Sequence, residues 1–420
     1  MDNLLKITKN IIPKKLFKTL QPIYHYKLAL LGALLYRFPS KKIKVIGVTG
    51  TKGKSSTTEM IAHILRNAGF KTASASTVRF QIGENAKRNM FKMTMPGRFF
   101  IQKFLRDAVN QKCHFAVIEI SSEGAKQYRH RFIDLDALVF TNLAKEHIES
   151  HGSYEKYVEA KLSIASSLSK SPKKQKFMIG NIDDTETSKF FEKALPAKPV
   201  TYSLKEADKI KEKENGIDFE IEGKKIHSNL VGKFNIYNWL ATWKTVSNFG
   251  ISIEQFKKAV EELKEIPGRA QIIKKGDIEC VIDYAHTPES LEAIYKAFPN
   301  KKKICILGNT GGGRDTWKRP EMAKIADKHC ETIILTNEDP YDEDPMKIIN
   351  DMAVVIPKDK LFVEIDRRKA INTAIKMADK DSIVIITGKG TDPYIMGKNE
   401  EKTPWDDKTV VEEELGKIKN

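Results

Sequence analysis

A glycine-rich stretch near the start of the chain carries residue types that suit phosphate chemistry. The apolar residues 45–49 are followed by a loop containing Gly50 and Gly53, and then by Lys54 and Ser55. Glycines let the backbone approach an anion closely, a lysine at this spacing reaches the β- and γ-phosphates, and a serine hydroxyl can bind Mg²⁺. We therefore predict a nucleotide site made of Gly50, Thr51, Lys52, Gly53, Lys54, Ser55 and Ser56.

The pattern of this loop is imperfect, but its surroundings support it. The general phosphate-binding pattern has a glycine where Val48 stands, and Gly47 lies one residue too early. A strand–turn–helix connection without a ligand is the alternative. Apolar residues at helical spacing from Met60 to Leu65, with Gly69 after them, predict a helix directly behind the loop, which favours nucleotide binding.

Polar groups that suit metal chemistry follow two more predicted strands. Glu119 lies in the apolar run 114–120, at a strand end where a carboxylate can bind Mg²⁺; a solvated carboxylate is the alternative. The next strand precedes a loop with His147, and Lys161 lies on the helix that follows. Isolated histidines are most often structural, but His151 lies only four residues further along the same loop. The two histidines and the lysine are therefore candidate functional residues.

Size and charge narrow the class of protein. A chain of 420 residues predicts two or three domains, and 72 basic against 55 acidic residues give a formal net charge of +17. Such a charge suits nucleic acid, an anionic membrane surface or polyanionic substrates. Because lysines and glutamates are interleaved without a concentrated basic tail, we interpret the charge as spread over solvated faces and expect no nucleic-acid partner.

Cysteine spacing and hydropathy indicate the cellular compartment in which the protein works. The four cysteines are widely separated and form no CxxC pair, which argues against a zinc site and a disulfide framework and predicts buried thiols in a reducing cytoplasm. No cleavable signal peptide is recognisable, and the apolar residues 28–35 are too few to span a bilayer. We expect a cytoplasmic protein. The cysteines are Cys113, Cys280, Cys305 and Cys330.

Apolar runs that alternate with helical patterns predict an α/β fold. We predict a central nucleotide-binding domain with a mostly parallel sheet over residues 44–268, and a C-terminal Rossmann-like domain over residues 269–420. Residues 1–43 are a short helical lead-in, in which residues 13–38 fit one or two amphipathic helices. We expect these helices to pack on the main domain. The alternative is that they contact a membrane surface or a lipid-linked substrate.

Several motifs resemble those of the Mur ligase family, and most of all its MurE branch, which adds the third amino acid to UDP-N-acetylmuramoyl dipeptide. The resemblance covers about residues 44–420, with the motifs in the family's order. In the central part they lie at residues 50–55, 94–96, 119–122, 141–147, 151–152 and 161. In the C-terminal half they lie at residues 232–238, 267–269, 283–288, 312–315, 318–320, 366–367 and 388–390. The order makes the set far more specific than any single motif.

The resemblance implies roles for the site residues. It places Lys54, Glu119, His147 and Lys161 at the reaction centre, with Ser55, Glu119, His147 and Lys161 around two Mg²⁺ ions. Lys161 is expected as N6-carboxylysine, a carbamate formed with CO₂. The resemblance also assigns Asn235, Asn238, Arg269, Asp283 and His286 to ATP; Thr94, Pro96, Ser121, Ser122, Gln127 and Arg129 to the acyl substrate; and Arg314, Asp339, Pro340, Tyr341, Gly388 and Asp392 to the amino acid.

The same resemblance implies a reaction and its partners. The carboxylate of a muramoyl-peptide precursor attacks the γ-phosphorus of ATP, and the amine of a free amino acid then displaces phosphate from the acyl phosphate. ADP and phosphate are released. Arg269 and Asp283 would reach the nucleotide only when the domains close, which excludes water. A monomer is expected.

Four positions depart from the MurE motifs. Tyr341 and Asp339 stand where the diaminopimelate enzymes typically have the arginine and asparagine of D-N-P-R, and Asp392 stands for the glutamate of G-K-G-H-E. Glu123 replaces a histidine. A phenol cannot form a bidentate ion pair with a distal carboxylate, so diaminopimelate, lysine and other amino acids stay open as acceptors.

The front of the chain also departs from the family. MurE proteins carry a UDP-binding domain of about a hundred residues, whereas residues 1–43 precede the first predicted strand here. Either the central domain holds the UDP-muramoyl substrate or the carrier differs. Alternatives are therefore a folylpolyglutamate synthase, which shares the architecture, and the lipid-linked amidating branch MurT, whose four-cysteine zinc insert is absent from this sequence. From another class, the chain could be a non-catalytic binding protein on a ligase fold.

Overall fold

The structure describes residues 14–146, 148–313 and 315–418, and is a computed structural model. Its first element is one helix, α1 (Lys14–Leu35), followed by a 3₁₀ turn, Pro39–Lys42. The end of α1 is tied to helix α3 (Arg98–Asn110), because the Arg106 guanidinium donates hydrogen bonds to the backbone carbonyls of Tyr36, at 2.8 Å, and of Arg37. In these ranges no helix is both long and apolar enough to cross a membrane.

Eight strands form the first sheet: β1 (Lys44–Thr49), β2 (Thr72–Ala75), β3 (Arg79–Ile82), β4 (Asn85–Arg88), β5 (Phe115–Glu119), β6 (Ala137–Phe140), β7 (Phe177–Asn181) and β8 (Lys198–Tyr202). Their order is β4-β3-β2-β5-β1-β6-β7-β8. β3 pairs antiparallel with β2 and with β4, and all other neighbouring pairs in this sheet are parallel. The mostly parallel sheet predicted from the apolar runs is confirmed. Burial on both faces explains why β1 reads as a continuous apolar run.

Helices cover both faces of this sheet and enclose two apolar cores. Besides α1 and α3 they are α2 (Lys54–Asn67), α4 (Ser122–Lys126), α5 (Ile148–His151), α6 (Tyr154–Ser169) and α7 (Thr187–Ala194). Because β1, β5 and β6 run parallel side by side, Thr49, Glu119 and Phe140 end at the same edge of the sheet. The glycine loop, Glu119 and the segment after β6 therefore converge at that edge.

A small antiparallel sheet and two helices complete the first half of the chain. The strands are β9 (Asp208–Lys213), β10 (Gly216–Ile221) and β11 (Lys224–Ser228), and the helices are α8 (Phe234–Ser247) and α9 (Ile253–Glu262). Trp239 of α8 is fully buried and belongs to the same core as Ile61 of α2. This packing places the polar start of α8 beside the start of α2.

A second sheet of six strands follows in the order β12-β13-β17-β14-β15-β16. Five strands are parallel, and β12 pairs antiparallel at the edge. The strands are β12 (Gln271–Lys275), β13 (Ile278–Ile282), β14 (Lys302–Leu307), β15 (Thr332–Leu335), β16 (Leu361–Val363) and β17 (Ser382–Ile386), with a hairpin of β18 (Tyr394–Met396) and β19 (Lys402–Pro404). The helices are α10 (Pro288–Lys296), α11 (Lys318–His329), α12 (Pro345–Ala353), α13 (Arg367–Met377) and α14 (Asp407–Gly416).

The prediction that the cysteines remain unpaired thiols is wrong for one pair. Cys305 of β14 and Cys330, directly after α11, form a disulfide with their Cα atoms 6.1 Å apart. The end of α11 returns beside β14, which brings the two residues within the range that a disulfide spans. Their separation of 25 residues in the sequence carries no motif. Cys113 and Cys280 are buried free thiols.

Candidate active site

The glycine loop joins β1 to α2 and requires glycine at two positions. Gly50 and Gly53 have φ angles of 146° and 79°. A Cβ atom on Gly50 would lie 1.9 Å from the Thr141 hydroxyl oxygen, and one on Gly53 would lie 2.4 Å from the Asn238 side-chain oxygen. Both contacts exclude a larger residue. The loop is thus held between the segment after β6 and the start of α8.

Lys54 is the first residue of α2 and lies inside this loop. Its ammonium donates a hydrogen bond of 2.8 Å to the Thr51 carbonyl, and burial lowers the pKa of Lys54. The Thr51 hydroxyl lies 2.8 Å from the Tyr157 hydroxyl, and the Lys52 amide donates to the Asn142 side chain at 2.9 Å. The backbone of the loop is therefore fixed by side chains from two other elements.

Glu119 and Ser55 meet at the start of α2. The Ser55 hydroxyl donates a hydrogen bond of 2.9 Å to Oε2 of Glu119, and both side chains are buried. The same oxygen accepts from the backbone amide of Thr77 at 2.8 Å, and the Thr77 hydroxyl lies 2.8 Å from that of Thr94. Hydroxyl and carboxylate oxygens are the donors that Mg²⁺ prefers, so Ser55 and Glu119 fit one magnesium ion.

Lys161 projects from α6 to the back of the glycine loop. Its side chain is buried, its ammonium donates a hydrogen bond to the Gly50 carbonyl, and it lies 4.9 Å from the centre of the Tyr157 ring. Burial lowers the pKa of Lys161 well below its usual value, and the charge of Lys54 lowers it further. Burial in such surroundings favours the neutral amine over the ammonium.

The two asparagines of α8 lie together against the loop. The Asn238 side-chain amide donates to the Asn235 side-chain oxygen at 2.9 Å, and Asn238 accepts from the Thr57 hydroxyl at 3.3 Å. Both asparagines are buried. The structure therefore brings this predicted nucleotide-binding pair to the glycine loop.

The second domain reaches the same loop. The Arg269 guanidinium donates a hydrogen bond of 3.2 Å to the Ser55 hydroxyl and lies 4.6 Å from the centre of the Tyr284 ring. His286 lies 3.2 Å from Glu146, which also pairs with Lys52 at 3.3 Å. The two domains thus contact each other directly at the glycine loop.

Asp283 braces the start of the second domain. Its two carboxylate oxygens accept hydrogen bonds of 2.7 Å from the backbone amides of Ala270 and Ala285. Burial raises the pKa of Asp283. The carboxylate holds the turn that carries Arg269.

The predicted acyl-substrate residues lie along two neighbouring segments. Thr94 and Pro96 belong to the loop before α3, whereas Ser121 caps α4 and Ser122 lies 3.2 Å from the His151 ring. The Arg129 guanidinium bridges these segments, because it donates to the Met95 carbonyl and, at 2.7 Å, to the Gln127 side chain. Glu123 accepts from Gln127 at 2.7 Å.

Asp339 and Asp392, predicted to bind the amino acid, lie together in the second domain with Tyr341. The Lys389 ammonium is fully buried and lies 2.9 Å from Asp339 and 3.4 Å from Asp392. Lys92, from the loop after β4 in the first domain, also pairs with Asp339 and lies 5.7 Å from the centre of the Tyr341 ring. The residues predicted to bind the amino acid are therefore contacted by a residue of the other domain.

Glu338, Asp339 and Asp392 form an acidic cluster, and neighbouring residues pack tightly around it. A Cβ atom on Gly388 would lie 2.4 Å from Oε2 of Glu338, so glycine is required there. The Pro340 carbonyl packs against Gly311, where a Cβ atom would lie 2.3 Å from it. Glu338, Asp339 and Asp392 are each buried. Three carboxylates therefore share the cluster with two lysine ammonium groups.

Two predicted residues, His147 and Arg314, lie outside the described residues. Three residues that the sequence did not single out now contact the site: Thr77 bonds Glu119, Glu146 joins Lys52 to His286, and Lys92 pairs with Asp339. All three lie in irregular segments. Thr77 and Lys92 belong to no recognised motif, whereas Glu146 lies inside the motif at residues 141–147, directly before His147, and could have been found there.

Comparison with known proteins places this geometry in a family. Residues 48–246 match the model of the Mur ligase middle domain, and residues 268–390 match that of the Mur ligase glutamate ligase domain. A UDP-N-acetylmuramoyl-L-alanyl-D-glutamate–2,6-diaminopimelate ligase of Clostridium acetobutylicum is 34% identical over 402 residues, 92% of this chain and 81% of its own length. The corresponding enzyme of Bacillus cereus is 34% identical over 410 residues, 94% of this chain and 82% of its own length.

Solved structures of similar fold support the same family. A UDP-N-acetylmuramoyl-L-alanyl-D-glutamate–2,6-diaminopimelate ligase is similar with a TM-score of 0.61 and 28% identity, over 89% of this chain and 78% of its own. A folylpolyglutamate synthase of Mycobacterium tuberculosis shares the fold alone, with a TM-score of 0.72 and 13% identity over 86% of this chain and 92% of its own. This chain belongs to the Mur ligase family, as an ATP-dependent ligase that adds an amino acid to a UDP-N-acetylmuramoyl peptide.

Proposed function

We propose that the cleft between the two domains joins the carboxylate of a UDP-N-acetylmuramoyl peptide to the amine of an amino acid through an acyl phosphate. The hydrogen bond from Arg269 to Ser55 carries this proposal, because it places the second domain on the glycine loop. ATP bound at the loop would then lie next to the acceptor residues. Closure around it would exclude water from the acyl phosphate.

Each residue at the loop has a role in this reaction. Lys54 neutralises phosphoryl oxygens of ATP, and the loop amides orient the phosphates. Ser55 and Glu119 hold a Mg²⁺ ion, which supplies charge neutralisation to the phosphates when bound. Arg269 stabilises negative charge that develops at the phosphoryl group. Lys161, as a carbamate, and His147 are proposed around a second Mg²⁺ ion.

The acceptor is proposed to be an amino acid whose side chain ends in an ammonium group. The curated relatives are named for 2,6-diaminopimelate, but the arginine of their D-N-P-R motif is Tyr341 here. Glu338, Asp339 and Asp392 provide three carboxylates against the two ammonium groups of Lys92 and Lys389. Among the described residues the carboxylates therefore outnumber the ammonium groups, which favours a cationic side chain and disfavours a distal carboxylate.

An acceptor panel tests this proposal. The assay contains ATP, Mg²⁺ and UDP-N-acetylmuramoyl-L-alanyl-D-glutamate and measures phosphate release and amide product. We expect the rate with lysine or ornithine to be at least about tenfold higher than the rate with diaminopimelate. This ratio corresponds to about 1.4 kcal/mol, the difference of one ion pair. Tyr341→Arg is expected to shift the preference towards diaminopimelate, and Tyr341→Phe, the matched control, is not. A wild-type preference for diaminopimelate contradicts the cationic acceptor, and no product with any amino acid contradicts the ligase itself.

We also propose that α1 contacts an anionic membrane surface, while the protein is a cytoplasmic monomer. Leu31, Leu34 and Leu35 expose 53%, 53% and 62% of their surface along the outer side of α1. Residues 14–42 contain seven lysines and arginines and no aspartate or glutamate. Such a helix suits the headgroup region of anionic lipid, and its charge opposes pairing with a second copy.

Vesicle co-sedimentation tests this contact. We expect the protein to bind vesicles of phosphatidylcholine with phosphatidylglycerol and not vesicles of phosphatidylcholine alone, because about 1 kcal/mol per basic residue comes from the anionic surface. Leu31→Glu is expected to abolish binding. Val354→Glu is the control, because Val354 is 83% exposed in the other domain. Equal sedimentation of the wild type and Leu31→Glu would exclude α1 as the contact.

A further inference from the structure

Three basic side chains meet where α1 packs on the first domain. His25 comes from α1, Arg98 begins α3, and Arg129 follows α4; we call them the basic cluster. The Arg98 guanidinium donates a hydrogen bond of 2.8 Å to Nδ1 of His25 and one of 3.0 Å to the Gln127 carbonyl. Arg129 donates to Oε1 of the same Gln127 at 2.7 Å. The cluster is therefore continuous with the predicted acyl-substrate residues.

Hydrogen-bonding rules fix the state of His25. A guanidinium can only donate, so Nδ1 of His25 accepts and its proton lies on Nε2. Burial lowers the pKa of His25 to about 4, with the charges of Arg98 and Arg129 acting in the same direction, so the ring is neutral at pH 7. The Nε2 donor is shielded from solvent and has no acceptor among the residues that the structure describes. One acceptor atom is missing beside this ring.

The two arginines present the same shortage of acceptors. The Nε groups of Arg98 and Arg129 are shielded and unpaired within the described ranges, and there neither guanidinium contacts a carboxylate. A shielded donor without an acceptor costs about 1–3 kcal/mol. The Glu123 carboxylate acts on Arg129 through space without contacting its guanidinium. Two guanidinium groups that contact no carboxylate in the described part of the chain, together with three unpaired donors, suit a ligand with several anionic oxygen atoms.

We propose that Arg98 and His25 extend the acyl-substrate contact already expected of Arg129 by binding an anionic group of that substrate, which gives α1 part of the carrier recognition. The anionic oxygens are those of the diphosphate or of the peptide carboxylates, which offer the same chemistry to arginine. Tyr26 of α1 lies edge-on to Phe132 at 5.2 Å and to Tyr128 at 6.4 Å, which fixes α1 beside the cluster. This inference rests on the proposed function, because it takes its ligand from that reaction.

Direct binding tests the inference independently of catalysis. Calorimetric titrations with UDP-N-acetylmuramoyl-L-alanyl-D-glutamate, with UDP and with N-acetylmuramoyl-L-alanyl-D-glutamate are compared for the wild type, Arg98→Gln, Arg98→Lys and His25→Ala. We expect the full ligand to lose at least about tenfold in affinity in Arg98→Gln, about 1.4 kcal/mol, and less in Arg98→Lys. The Kd for ATP stays unchanged in each variant. Lys103→Ala is the control, because its exposed ammonium pairs with Asp107 on the outer side of α3.

The three ligands separate the sources of the anion. Loss of UDP affinity in Arg98→Gln assigns the cluster to the diphosphate, and loss confined to the muramoyl peptide assigns it to the carboxylates. Wild-type affinity in both Arg98 variants and in His25→Ala overturns the inference, as does a wild type that binds none of the three ligands. Tight binding without any amide product supports the cluster and contradicts the proposed function alone. Arg98→Lys keeps the test valid where Arg98→Gln fails to fold.

Discussion

Replacing Lys161 with alanine is expected to lower turnover by about a thousandfold, the scale of losing a charged group that acts in the transition state. Burial lowers the pKa of Lys161 well below its usual value, which favours the neutral amine that reaction with CO₂ requires. The resulting carbamate carries a negative charge, whereas an ammonium at the same place would repel metal ions. We expect formate or acetate to restore part of the activity by placing a carboxylate in the space that alanine leaves.

Steady-state phosphate release with and without added formate measures this effect. Intact-protein mass spectrometry in bicarbonate buffer is expected to show the mass of one added CO₂ in the wild type and not in Lys161→Ala. Lys156→Ala is the matched control, because Lys156 lies on the same helix α6 with its side chain exposed. Full activity of Lys161→Ala would contradict the carbamate role. Loss of activity that formate and acetate do not restore would also contradict it and would indicate that Lys161 has a structural role.

Replacing Arg367 with alanine is expected to lower the free energy of unfolding by about 3–5 kcal/mol. Arg367 is fully buried at the start of α13, and its guanidinium makes two hydrogen bonds of 2.9 Å to the carboxylate of Asp407 at the start of α14. It also donates to the Thr387 carbonyl after β17 at 2.8 Å. Alanine would leave the Asp407 charge buried without its partner.

Urea denaturation followed by tryptophan fluorescence measures this loss, because Trp405 donates a hydrogen bond of 2.7 Å to Asp407 and reports on the same place. Arg368→Ala is the control: its guanidinium is 41% exposed and pairs with Glu413 and Glu414, so we expect a loss of about 1 kcal/mol or less. The double variant Arg367→Met with Asp407→Leu is expected to recover most of the stability. Equal losses in Arg367→Ala and Arg368→Ala would contradict the buried ion pair.

Regular elements of this protein follow closely from local sequence. The apolar runs at residues 137–140 and 332–335 predict strands, and they form β6 and β15 with those bounds; α2 begins where the glycine loop ends. Parallel strands buried on both faces produce continuous apolar runs, which can be recognised without knowledge of the fold. The small sheet of β9, β10 and β11 was not predicted. β9 and β11 are rich in exposed lysines and other polar residues. β10 is mostly buried and alternates Ile217, Phe219 and Ile221 with polar residues, so its pattern was present in the sequence but was not recognised.

Contacts between segments that are distant in the sequence could not be predicted from local sequence patterns. Thr77, Glu146 and Lys92 reach the site from loops, where no periodicity constrains the chain. The disulfide between Cys305 and Cys330 depends on how α11 returns beside β14. The contact of α1 with Arg98 depends on the packing of two helices that are far apart in the sequence. Such contacts are set by the whole core and not by neighbouring residues.

By itself the sequence determined the glycine loop between strand and helix, the α/β class and the family, because glycine spacing and apolar runs express local geometry directly. Only the tertiary structure decided that Arg269 contacts Ser55, that Lys92 of one domain pairs with a carboxylate of the other, and that His25 joins two arginines beside Gln127. The physical reason is that hydrogen bonds and ion pairs act over a few ångströms in space, whatever the distance along the chain.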